Sequence, residues 1–110
     1  MSKIDVSKVA EAMILAGKTA FQKEWPVIAD YASMEFKKLA FTLAKIQFLY
    51  DSGKIKDGEA SVLFEMQKNT AKAVMAGLAG MTLLIAEQVL NAALDAARDI
   101  VNTSIGFALL

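Results

Sequence analysis

Three carboxylates, Glu24, Glu35 and Glu87, lie among apolar neighbours in the sequence. Desolvation in such a setting favours the protonated carboxyl that a general acid uses. The partners such chemistry commonly needs are missing, because the 110-residue chain has no histidine and no cysteine. That removes a Ser-His-Asp triad, a thiolate nucleophile, a zinc–thiolate site and the Glu-x-x-His motif of di-iron bundles. A carboxylate-only metal site is the metal chemistry left open. Neither a GxxxxGK[ST] nor a GxGxxG pattern occurs, and "AGLAG" (76–80) falls inside a helical pattern rather than after a strand. Lys37, Lys38 and Lys45 have the charge to hold phosphates, but their spacing reads more simply as a solvated helix edge. The sequence therefore points to no enzyme: no catalytic residue, cofactor or metal is expected.

The totals narrow the partners. Lys+Arg and Asp+Glu both count 12, so no broad positive field exists to hold a phosphate backbone, and nucleic acid is not an expected partner. Hydrophobic residues reach 55%, above the ordinary share of about 45–50%, and the excess is alanine, methionine and leucine, all good helix formers. An all-α chain follows. Zero net charge gives weak colloidal protection, so a chain this apolar associates unless its association is specified. The opening "MSKIDVSKVAEAMILAGK" carries Asp5 and Glu11, and its apolar piece, 12–16, is shorter than a signal-peptide core. A cytoplasmic location is expected, with a position at the membrane periphery as the alternative.

The strongest break is "DSGKIKDGE", residues 51–59. Gly53 suits the left-handed position after a helix, and Asp57 and Glu59 suit the start of the next one. The reading is one domain over 1–110: helix A over about 5–50, a turn at 51–56, helix B over about 57–102, and an apolar tail at 103–110. Pro26 kinks helix A, since "FQKEWPVIADY" offers no glycine or Asn/Ser cluster for a loop. At ~1.5 Å per residue each arm would be roughly 65–70 Å long, and the short turn makes the arms antiparallel.

Periodicity gives these rods more than one apolar face. Phe36, Leu39, Leu43, Ile46 and Tyr50 form a seam on helix A, while Met34, Phe41 and Phe48 lie seven apart on another face. On helix B, Ala71, Val74, Leu78, Met81, Ile85, Val89, Ala92, Ala96 and Ile100 form one seam, and Leu83, Leu90, Leu94 and Val101 a second. Its polar line, Gln88, Asn91, Asp95, Arg98 and Asn102, runs back through Leu84, Gly80, Gly77 and Ala73. Small-xxx-small pairs such as Ala73–Gly77 and Ala76–Gly80 permit close helix approach. Either Trp25 or Tyr31 of the same chain rests on these glycines, or another protomer does. A two-helix hairpin cannot bury so much, so the expected fold is a long antiparallel hairpin that completes a helix bundle by oligomerisation. The expected function is that of a non-enzymatic structural or interaction protein, its partner a second copy of itself. The contact residues are Ala73, Gly77, Gly80, Leu83, Leu84, Phe41 and Phe48.

Two other readings stand behind that one. The second is a membrane-active protein that forms a pore or binds a lipid surface by inserting or docking helix B, with Trp25, Phe107, Leu109 and Leu110 as lipid contacts. The third is a carboxylate-based metal-binding bundle.

Overall fold

In the computed structural model, which describes residues 3–78 and 80–110, the chain is all helical. The described residues form α1 (Val6–Ala20), α2 (Trp25–Asp51), α3 (Asp57–Leu78) and α4 (Leu83–Ile105). Each boundary has a local cause. Asp5 caps α1, its Oδ1 accepting from the Lys8 N–H at 3.2 Å. Pro26 sits in the first turn of α2, where its missing N–H costs nothing. Between α2 and α3, Gly53 takes φ +73° and the Glu59 carboxylate accepts from the Lys56 N–H at 3.1 Å. Gly80 takes φ +72°, and Thr82 caps α4 by accepting from the Ile85 N–H at 3.1 Å.

The expected long rods are therefore each divided. Helix A is not a kinked continuous helix: a turn over 21–24 separates α1 from α2. Helix B is interrupted between Leu78 and Leu83. The longest dimension of the molecule is 42 Å, against 22 and 18 Å across, which fits one 27-residue helix and no longer rod. No helix among the described residues is long and apolar enough to cross a membrane.

Hydrogen bonds fix the arrangement. The Gln47 Oε1 on α2 accepts from the Ile4 N–H at 2.6 Å, just before α1, while its Nε2 donates to the Ser104 carbonyl of α4 at 2.9 Å. The start of α1 and the ends of α2 and α4 thus meet at one end of the molecule. At the opposite end the 21–24 turn and the 80–82 connection line a shared cleft. The helices alternate in direction, with α1 against α2 and α4, and α3 against α2 and α4.

The break in helix A rests on Gly17. A Cβ there would stand 2.8 Å from Trp25 Cζ3 and 3.3 Å from Phe36 Cε2, so only glycine lets α1 lie this close on α2. Trp25 in turn stacks on Phe36, with ring centroids 6.5 Å apart. Phe36, Leu39, Leu43 and Ile46 of the seam read on helix A are buried together with Val9 and Met13, and its last member, Tyr50, is half-buried. On α4 the core follows Val89, Leu90, Leu94 and Val101, mostly the second seam of helix B, and Ala96 and Ile100 from the first are exposed. The Leu78 side chain lies outside the described part of the molecule, as does Ala79.

The C-terminal tail folds back. Gly106 ends α4 at φ +92°, and the Asn102 Oδ1 accepts from the N–H groups of Leu109 and Leu110, each at 3.0 Å. Leu109 is buried, and Phe107 packs on Tyr50 with centroids 4.8 Å apart.

Candidate functional site

The stretch from Ala73 to Ala86 contains no charged residue. The fold places it at the end of α3, the connection and the start of α4, so it forms one end of the bundle rather than the middle of a rod. Ala73, Gly77 and Gly80 are exposed, and a Cβ added at either glycine would meet nothing within 4 Å. Neither Trp25 nor Tyr31 rests on these glycines; Trp25 rests on Gly17 instead. Leu83 and Leu84, in the first turn of α4, are 61% and 63% exposed. Beside them Val27, Ile28, Gly80, Met81, Thr82 and Ile85, with Lys23 and Glu24, line an open cleft of about 430 Å³.

Phe41 and Phe48 lie elsewhere. With Val27 and Met34 they form a ridge of period seven along α2, on the side opposite the buried seam at roughly 100° per residue. Phe48 borders a cleft with Lys3, Ile4 and Asp51, at the end where the start of α1 meets the ends of α2 and α4. The seven residues expected at a helix contact are thus all exposed, but they fall on two surfaces: the 73–86 end and the outer face of α2. The residues expected to meet lipid are differently placed. Trp25 and Leu109 are buried, and Phe107 and Leu110 are half-buried under the folded-back tail.

The candidate carboxylates do not converge. Glu24 and Glu87 are exposed, whereas Glu35 is buried and paired with Lys38 at 3.2 Å. Among the described residues no three Asp or Glu side chains come together in a metal-binding group. The perturbed titratable group is Tyr50. A hydrogen bond with the Asp57 carboxylate, then burial and the charges of Asp57 and Asp51, hold its phenol protonated above the usual 10.0.

Comparison with protein-family models, with curated proteins and with solved structures found no match.

Proposed function

We propose that the chain is a non-enzymatic structural or interaction protein that assembles with copies of itself through the 73–86 stretch at one end of its bundle. One observation carries this reading: Leu83 and Leu84 are exposed, as are the small residues Ala73, Gly77 and Gly80, all within one stretch that carries no charge. Monomeric proteins scatter single apolar side chains over their surfaces, but two adjacent exposed leucines in a stretch that also exposes small residues fit a helix contact. The small residues let a partner helix approach, and the leucines supply the buried area. The partner is a second copy, because an apolar patch is complementary to its own copy across a twofold axis.

Gly77→Leu tests the contact distance. The position is helical, exposed and open, so the new side chain fits the folded monomer and obstructs only an approaching helix. The assembled mass measured by light scattering is expected to fall. An unchanged mass would remove Gly77 from the contact. Gly80→Leu is a poorer probe, since φ +72° strains any side chain there whatever approaches it.

A further inference from the structure

We propose that the outer face of α2 from Met34 to Phe48 docks on an anionic lipid surface. Between Ser33 and Tyr50 the exposed residues are Met34, Lys37, Lys38, Phe41, Lys45 and Phe48, three apolar side chains and three lysines with no acid among them. The apolar three stand well clear of the bundle at 42%, 55% and 65% exposure. Over this length the face runs roughly 21 Å along a straight helix. Lys45 holds its ammonium 5.1 Å from the centre of the Phe41 ring, so charge and aromatic surface are presented together.

The flanking charges include one exposed acid on the same side of α2, Asp30, a helical turn before Met34. Glu35 is buried and engages Lys38, while Asp51 and Lys3 share the cleft beside Phe48 at the far end. The protein's net charge is zero, so any attraction to anions is local to a face such as this one. The cleft beside Phe48 reaches only one end of the ridge, whereas a fluid interface admits both exposed phenylalanines and leaves flexible lysine ammoniums at headgroup level along its length. A second copy fits poorly here, because a twofold axis through the middle of the ridge sets Lys37 and Lys38 against the partner's lysines.

Vesicle flotation tests this with the full chain. The protein is expected to float with equimolar phosphatidylcholine–phosphatidylserine vesicles and to stay down with phosphatidylcholine alone. Lys37→Gln and Lys45→Gln should each lower the bound fraction about fivefold, and Phe41→Ser combined with Phe48→Ser at least about tenfold. These positions are exposed, so unchanged far-ultraviolet circular dichroism is expected of every variant. Equal flotation with both vesicle types, none with either, or indifference to the substitutions would overturn the proposal. Retention on immobilised polyglutamate without flotation would assign the face to an acidic polypeptide and also overturn it. The assay is repeated on Leu83→Ser/Leu84→Ser protein, which alters the assembly surface and leaves α2 intact. Continued flotation there supports docking by α2; flotation lost there but unaffected by the α2 changes would transfer lipid binding to the other end.

Discussion

Replacing both leucines at the start of α4, Leu83→Ser with Leu84→Ser, puts the assembly reading at greatest risk. Burying a whole leucine side chain is worth about 1.5–3 kcal/mol, and 61% and 63% of these two remain exposed in the monomer. A contact that covered them would gain about 1–2 kcal/mol from each, and a symmetric dimer contains two such pairs. The sum is about 4–8 kcal/mol, so the double substitution should weaken a dimer at least about a thousandfold. A micromolar dimer would become monomeric at any practical concentration. That range also bears on assembly itself, since association costs an estimated 4–15 kcal/mol in lost freedom. The leucines alone are near break-even, and the close approach allowed by Ala73 and Gly77 must supply the rest through packing.

Sedimentation equilibrium over a wide concentration range measures this directly. The wild-type mass should rise with concentration and that of the double variant should stay at one chain. Both side chains are exposed, so the variant's own stability should change by no more than about 0.5 kcal/mol. A loss of mass therefore cannot be blamed on unfolding. Equal masses for the two proteins across the range would refute the reasoning, because no contact could then include these leucines.

Other expectations follow from single residues. Gly77→Ala should stabilise the monomer by up to about 1 kcal/mol, since the site is helical and open, whereas Gly80→Ala at φ +72° should destabilise it by about 1 kcal/mol; opposite shifts in urea midpoint would show this. Gly17→Ala should lower stability despite alanine's better helix propensity: the rigid Trp25 ring is 2.8 Å from the new Cβ, and overpacking of about 1–3 kcal/mol exceeds a propensity gain of about 1. Thermal unfolding should then begin several degrees lower. Tyr50 contributes a pH dependence confined to alkali. Its folded pKa lies above the unfolded 10.0, so its stabilisation is fully present below about pH 10 and is lost as pH rises through the folded value. Asp57→Asn should move phenolate formation, followed by absorbance, back toward the ordinary value.

The helical class was legible because composition and the 3.6-residue period agree over nearly the whole chain. The turn after α2 was legible because Gly53 and the acidic start of α3 are local signals. The other two breaks were harder, for different reasons. Thr82 carried its own signal: it is the sole polar side chain between Ala73 and Ala86, it follows Gly80 by two residues, and a left-handed glycine before a capping hydroxyl is how one helix stops and another starts. Apolar periodicity on both sides hid it, since a seam continued across the break looks like one helix. The 21–24 turn holds no glycine at all. The glycine that makes it possible is Gly17, a turn of helix earlier, and its role appears only when Trp25 and Phe36 fold over it. A close approach between elements is a property of the tertiary contact, so local spacing cannot announce it.

Those two breaks change the argument for association as well as the shape. Two undivided rods would leave a whole face of large side chains wet, and such a chain could not fold without a partner. Four shorter helices instead bury Phe36, Leu39, Leu43, Val89, Leu90 and Val101 within one chain. Self-assembly then concerns the residual surface rather than the core, and folding and association become separable. A chain of this kind should keep a constant thermal midpoint once diluted below its dissociation constant, whereas an obligate dimer goes on losing stability with dilution. If the midpoint instead kept falling after the mass had reached that of one chain, the four helices would not form a self-sufficient core, and the partner would belong to the fold itself.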